Sequence, residues 1–388
     1  MRPHYLNSLF SPRSIAVFGA SERPGSVGQV VLRNLLGGEF AGPVYALNTR
    51  HPQVQGQPAF SNLDAVGKPV DLAIIATPAK SLPAIIEDCG EHGVKSAIIL
   101  SAEFSESGRA GKPLEDKVIA LARDHGIRVL GPNCLGLIRP AQRLNATFGN
   151  NTAQPGKLAL ISQSGALCTA ILDWADQRGI GFSAVVSTGI SADLDFGDIL
   201  EFLMSDPHTH SILLYIEGLR DVRRFMTGLR LAARAKPVIA IKVGRHTEGA
   251  RASLSHSGAL VGADEAFSAA LARCGVVRVE TIAQLFSAAS TLSSRYRECG
   301  KRLAVVTNGG GPGVLAADHI ADYGLELATL DAGSVSALKR VMPKTWSRGN
   351  PVGILGDAGP QRYTDSVNIC LQDQSVDGVI VILTPQAV

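Results

Sequence analysis

Ser253-Leu254-Ser255-His256-Ser257-Gly258-Ala259-Leu260 sets one imidazole among hydroxyl and glycine residues. Small neighbours let backbone N–H groups approach an anion, and neutral imidazole is a good nucleophile near pH 7. The octapeptide therefore fits a histidine that carries a phosphoryl group. A capping or core histidine in a tight turn is the other reading of these residues alone. Ile161-Ser162-Gln163-Ser164-Gly165-Ala166 leads from an apolar run into a helical one. Its hydroxyls and backbone donors make an anion site at a helix N-terminus. Glu217 closes the run Leu213 to Ile216 in a glycine-containing loop. Its carboxylate on Nδ1 of His256 would fix the tautomer and leave Nε2 free to attack phosphorus. The alternative for Glu217 is an ordinary loop carboxylate.

A second chemistry opens the chain. Ile15 to Phe18 runs into Gly19-Ala20-Ser21, and Gly25-Ser26-Val27-Gly28 starts a helix. This layout places a phosphate at a helix N-terminus, although the glycine interval is longer than in G-x-G-x-x-G. NAD would require an acid about 20 residues further on. Leu47-Asn48-Thr49-Arg50 holds none, and Arg50 suits a phosphorylated ribose, as in NADP or coenzyme A. A solvated surface charge is the plain alternative for Arg50. Three more loops follow later strand ends: Thr77-Pro78-Ala79, Ser101-Ala102-Glu103 and Gly131-Pro132-Asn133-Cys134-Leu135-Gly136. The last could line a slot for an extended thiol arm, with Cys134 read as a packing thiol.

These loops need strands and helices to carry them. Apolar runs at 14–18, 44–47, 72–76, 97–100 and 128–130 alternate with helical segments at 27–36, 82–92 and 114–125. A second cycle has strands at 157–161, 182–187, 211–216 and 238–243, and a third begins at 303–307 and ends with 378–383. Alternation of this kind predicts an α/β fold of parallel sheets covered on both faces. Three domains are expected, at 1–145, 155–297 and 300–388, the last incomplete. The strand–loop end at Val388 points to a fragment or the front portion of a longer protein.

The chain of 388 residues has 45% apolar and 18% charged residues, and 37 basic against 34 acidic side chains gives +3. That near-balance makes no case for nucleic acid or a membrane surface. The six cysteines form no C-x-x-C pair, so neither a zinc site nor a disulfide framework is expected. No signal segment and no apolar run of spanning length occur, and a cytoplasmic location is expected.

The glycine loop, G-P-N-C-L-G, S-Q-S-G-A, Y-I-E-G and S-H-S-G-A-L, in that order, resemble the NDP-forming acyl-CoA synthetases, relatives of the succinyl-CoA synthetase α-subunit. The resemblance covers residues 8 to 388. It implies an N-terminal Rossmann-like CoA-binding domain followed by flavodoxin-like succinyl-CoA ligase domains. It implies further that Gly19, Ala20, Ser21, Gly25, Ser26, Val27, Gly28, Asn48 and Arg50 hold coenzyme A. Thr77, Pro78, Ala79, Ser101, Ala102, Glu103 and Asn133 would continue that site. His256 would be phosphorylated transiently and oriented by Glu217, with Ser162, Ser164, Gly165, Ser257 and Gly258 around the phosphate. The implied reaction is acyl-CoA + phosphate + NDP ⇌ carboxylic acid + CoA + NTP, with acetate the expected acid. No grasp-type nucleotide-binding half is present, so a separate subunit or C-terminal domain is expected to bring ADP or ATP with Mg2+, in a homo- or hetero-oligomer.

Two departures stand out: Ile190 where relatives often carry a polar residue, and no acid just after Asn350-Pro351-Val352. Leu144 to Phe148 and Ile171 to Ala175 resemble instead the synthetase-like region of bacterial protein lysine acetyltransferases. There the region would bind acetyl-CoA and regulate. An NADP oxidoreductase survives only on the glycine loop.

Overall fold

The computed structural model describes residues 4–246, 249, 264–293 and 300–385. His256, Ser257 and Gly258 lie outside the described residues. The chain divides into two compact units, Met1–Arg295 and Tyr296–Val388.

In the first unit, short aliphatic runs form strands buried on both faces, as a parallel sheet under helices requires. β1 (Ile15–Phe18), β2 (Val44–Leu47), β3 (Gln53–Val54), β4 (Gln57–Phe60), β5 (Leu72–Ile75), β6 (Ser96–Ile99) and β7 (Arg128–Leu130) make one sheet. Its order is β3-β4-β2-β1-β5-β6-β7, parallel except between β3 and β4. The order reverses between β1 and β5, which opens a crevice at their carboxyl ends. Helix Val27–Gly37 faces the sheet with Val31, Leu32 and Leu35, and helix Leu82–Glu91 with Leu82, Ile86 and Cys89. Helix Lys112–Asp124 buries Val118, Ile119 and Ala122 in the same way. Each set repeats at three or four residues, the spacing of one helix face.

The second sheet contains β8 (Gly136–Arg139), β9 (Leu144–Thr147), β10 (Pro155–Ser162), β11 (Phe182–Ser187), β12 (Ser211–Ile216), β13 (Val238–Lys242) and β14 (Val277–Val279). Its order is β14-β13-β12-β10-β11-β8-β9, with β10 to β14 parallel and the β8–β9 hairpin antiparallel to β11. A second crevice therefore opens between the ends of β10 and β12. Alternate residues divide between two cores. Ile161, Val186, Ile212 and Leu214 pack with Phe196, Ile199 and Phe225, while Leu160, Val185 and Leu213 pack with Ile171, Leu172 and Leu285.

The first of these cores also contains Val17, Leu72, Ile98 and Leu130 of the first sheet. A shared core is why the segments expected as domains 1–145 and 155–297 form one compact unit. Gly136–Arg139 and the start of Leu144–Thr147, placed by sequence with the first domain 1–145, belong to the second sheet. Ion pairs add to the joint. Asp193 accepts from Arg128 Nε and Val129 N at 2.9 Å each, and buried Arg139 meets Asp206 at 2.7 and 3.2 Å.

The second unit is a smaller parallel sheet. β15 (Arg302–Thr307) pairs β16 (Glu326–Leu327) at its start, β17 (Val352–Gly353) at its end and β18 (Gly378–Ile382) along its length. Helices Gly310–Asp322, Ala332–Val341 and Pro360–Gln372 accompany it. Among the described residues, no helix is long and apolar enough to cross a membrane.

Candidate functional site

β1 ends in a turn at Gly19, whose φ of +83° suits glycine; a Cβ there would lie 2.9 Å from the Ala76 carbonyl oxygen and Thr77 Cγ2. A Cβ on Gly28 would strike the Gly19 carbonyl, so both glycines are needed for the helix to start against the turn. Ser26 occupies the N-cap, yet its Oγ donates to the Arg23 carbonyl at 2.8 Å and caps nothing. The helix therefore starts without a side-chain cap on its first N–H groups, the arrangement that favours an anion. Asn48 Nδ2 donates to the Ala20 carbonyl at 2.8 Å, while its Oδ1 accepts from Arg50 N and His51 N at 2.7 and 2.9 Å. That clamp fixes Arg50 beside the turn.

These loops enclose a cleft of about 940 Å³. All the residues expected to hold coenzyme A line it except Ala20. Ala20 is buried in the core and borders a neighbouring pocket of about 830 Å³ instead. Sequence reading missed Arg23, His51 and Phe148 on the cleft wall. Arg23 stood between the two glycines, and His51 beside Arg50, so position alone could have flagged them. Phe148 is held from afar: Asn34 Nδ2 donates to the Thr147 and Gly149 carbonyls at 2.8 and 2.7 Å.

At the second crevice, Ser164 caps helix Gly165–Asp176 by accepting from Leu167 N at 3.3 Å. Ser162 Oγ donates to the Ser164 carbonyl at 2.9 Å and accepts from Ser164 N at 3.1 Å, closing a tight cradle. Gln163 Oε1 accepts from Glu217 N at 2.6 Å and Gly218 N at 3.0 Å. The buried Glu217 is thereby tied to the cradle across the β10–β12 gap. Its charge and, first, burial raise the Tyr215 phenol above its ordinary pKa. Whether His256 meets Glu217 lies outside the described residues.

One loop belongs to both crevices. Asn133 lines the cleft and its N–H donates to the Ser101 carbonyl at 3.0 Å. Leu135 N donates to Ser187 Oγ at 3.0 Å, and a Cβ on Gly165 would sit 3.1 Å from Leu135 Cβ. Pro132 accepts from Ile190 N at 3.0 Å, and Thr188 N donates to the Ser162 carbonyl at 2.8 Å. Cleft and cradle are joined through Gly131–Gly136.

Comparison with known proteins gives this arrangement a family. Residues 13–140 match a CoA binding domain, 155–292 a succinyl-CoA ligase like flavodoxin domain and 303–386 a ligase-CoA domain. The alpha subunit of an ADP-forming acetate–CoA ligase I of Pyrococcus furiosus is 39% identical over 99% of this chain and 84% of that subunit. The chain belongs to the ADP-forming acyl-CoA synthetases. An ADP-forming acetate–CoA ligase I of Archaeoglobus fulgidus is 42% identical over 98% of this chain and 55% of its own length. The chain thus spans about half of such relatives. The dinucleotide forming acetyl-coenzyme A synthetase 1 of Ca. Korarchaeum cryptofilum, solved with phosphate and ADP, superimposes with a TM-score of 0.93 at 36% identity, covering 98% of this chain and 82% of that one. The lysine acetyltransferase alternative draws no support from these relatives, which carry ligase and synthetase names.

Of the two departures, Ile190 has a structural reason, and the missing acid after Asn350-Pro351-Val352 has none. Ile190 is 3% exposed and packs in the core under the first sheet, where a polar side chain would need a partner. Asn350 accepts from Val305 N at 2.8 Å and donates to the Leu303 and Ala328 carbonyls, so it knits strands together. Cys134 is buried, its thiol donates to the Ile99 carbonyl at 3.4 Å, and burial pushes its pKa up to about 12. A thiol so disfavoured as thiolate is packing material.

Proposed function

We propose that this chain is the CoA- and phosphate-handling half of an ADP-forming acid–thiol ligase, with acetate as its acid. It interconverts acyl-CoA, phosphate and ADP with a carboxylic acid, CoA and ATP. The observation that carries this reading is the Gly131–Gly136 loop, in which Asn133 lines the cleft and Leu135 packs beside Gly165 of the cradle. A thioester at the end of an extended CoA arm and a phosphate at a helix N-terminus are then neighbours.

The close approach of Gly19 and Gly28 and the uncapped helix start fit a CoA pyrophosphate, with Arg23 and Arg50 as cationic walls for its phosphates. Ser162, Ser164 and Gly165 hold inorganic phosphate for attack on the thioester carbonyl. The C–S bond breaks, acyl phosphate forms, and CoA leaves as the thiol with a proton. His256 Nε2 then attacks phosphorus, the P–O bond to the acyl group breaks, and carboxylate departs. Glu217 holds the imidazole and balances its charge, while Ser257 and Gly258 complete the phosphate contacts. Phosphohistidine finally gives its phosphoryl group to ADP.

ADP and its Mg2+ belong in this reading to a nucleotide-binding half, on another subunit or a further domain. Among the described residues no group of three or more His, Cys, Asp or Glu could hold a metal ion. The domain plan is CoA-binding, His256-bearing and a third ligase domain, in cytoplasmic oligomers.

The test is incubation with acetyl-CoA and labelled inorganic phosphate, with His256→Asn as control. Acid-labile label that the substitution abolishes supports the ligase. Absence of label in the assembled enzyme, with CoA still bound, would favour a CoA-sensing module.

A further inference from the structure

A pocket of about 200 Å³ lies one residue from Glu217, and the phosphate chemistry above makes no use of it. It sits between Gly218, the start of helix Val222–Ala235 with Phe225 and Met226, and helix Asp264–Arg273 with Phe267 and Ala270. Every one of these walls is apolar. A dry cavity of roughly 150 Å³ accepts benzene, so this one has room for an aryl ring or a branched chain of a few carbons.

Lys242 is its one charged wall among the described residues. The strand register explains why: Lys242 pairs with Ile216 at the end of β13, so its side chain follows Ala240 onto the face covered by Phe225 and Phe267. The residue is 4% exposed, and its ammonium lies 5.8 Å from the Phe267 ring centroid. An ammonium has three donors, and one of them goes to the Val243 carbonyl. Burial lowers its pKa, with the Asp264 carboxylate opposing, Arg278 adding to the fall and Glu217 opposing it more weakly. Asp264 is itself held by Arg278 at 2.6 Å, with Arg245 at 3.7 Å. A buried cation facing an apolar space is costly unless an anion comes to it.

We propose that this pocket receives the organic acid of the reaction: a small monocarboxylate whose carboxylate pairs with Lys242 and whose apolar tail lies among Phe225, Met226 and Phe267. This deepens the ligase reading and rests on it for the acid's role. The carboxylate would sit at the strand ends, on the side of Glu217 and Gly218. Gly218 N shares the Gln163 Oε1 acceptor with Glu217 N, so one wall of the pocket is tied to the loop that carries the phosphate cradle. Dicarboxylates are rejected, because a second carboxylate would meet only apolar wall.

Ligand-observed NMR on the full chain tests this with phenylacetate and its neutral analogue phenylacetamide. The acid should bind about tenfold tighter than the amide. Lys242→Met should bring the two within about twofold, and Ala270→Leu, which fills the pocket, should weaken phenylacetate about tenfold. Coenzyme A titration on each variant checks that the fold survives, since its cleft lies on the other sheet. Equal binding of acid and amide by the wild type would overturn the proposal. So would no binding of phenylacetate by protein that binds CoA, or insensitivity to Ala270→Leu. The ligase reading is judged separately: phosphohistidine labelling from acetyl-CoA that persists while these acids fail to bind sinks the pocket alone.

Discussion

Arg220→Met, paired with Glu115→Gln, tests how the two crevices are held together. Glu115 is 1% exposed and accepts from Ser105 N at 3.1 Å, Lys112 Nζ at 2.9 Å and Arg220 Nη1 at 3.0 Å. Burial pushes its carboxyl up, but the Ser105 N–H, Lys112 and Arg220 together hold it below the usual carboxylate range. Ser105 follows the cleft-lining Glu103, and Arg220 lies three residues past Glu217, so one carboxylate ties both loops. Arg220→Met removes one charge-assisted bond to Glu115, together with a longer one at 3.4 Å to Ser105 Oγ, and leaves two donors on a buried carboxylate. Such bonds contribute about 1.5–3 kcal/mol. Arg220 is partly exposed, which places its loss near the lower end, about 1.5–2 kcal/mol. Glu115→Gln keeps the shape, loses the charge and should cost somewhat more. If the pair acts as one unit, the double mutant should fall short of the sum by about 1 kcal/mol or more. Equilibrium urea unfolding of the four proteins by circular dichroism measures this. Coenzyme A affinity should change by less than about twofold in Arg220→Met, while histidine labelling slows, because the cleft keeps its walls and the Glu217 loop loses its anchor. Additivity within about 0.3–0.5 kcal/mol would refute the coupling.

Gly28→Ala should abolish measurable CoA binding in a calorimetric titration, because the new Cβ meets the Gly19 carbonyl and displaces the helix start; binding within a few fold of wild type would contradict the assigned cleft. Asp195 caps helix Phe196–Ser205, and burial with the nearby Asp198 charge pushes its carboxyl up to about 6 from 3.8. The folded state therefore holds that proton more tightly than the unfolded chain, so stability is lost as pH rises from about 4 through about 6 and stays lost above. Asparagine caps as well as aspartate. Asp195→Asn should then be more stable than wild type at pH 8, by roughly 2–3 kcal/mol, and equal to it at pH 4. Urea melts at both pH values measure the difference, and equal stability at pH 8 would count against the raised carboxyl.

Much of the candidate site was legible because it depends on local rules. A glycine turn after a buried strand predicts an open helix N-terminus, and the Ser162–Gly165 string predicts a capped, donor-rich one. Arg23, between the glycines, and His51, beside Arg50, were legible from position and passed over, whereas nothing in the immediate neighbours of Phe148 marks it. Phe148 reaches the cleft wall through Asn34, 113 positions from the Thr147 carbonyl that it bonds. Ala20 went the other way: its place in the glycine loop looked exposed, yet it closes the core under the turn.

Local rules acting on neighbouring residues set the elements and their chemistry. Runs such as Leu72–Ile75 and Val238–Lys242 are strands because aliphatic residues are buried on both faces, and helix faces follow from spacings of three and four. The ordered motifs determined the family. Only the tertiary structure decided that the β8–β9 hairpin joins the second sheet, and that one core merges two expected domains. It also decided that Gln163 holds Glu217, 54 positions away, and that Glu115 holds Arg220, 105 positions away. Periodicity reports whether a residue is buried; which distant group it is buried against is settled by how the sheets pack.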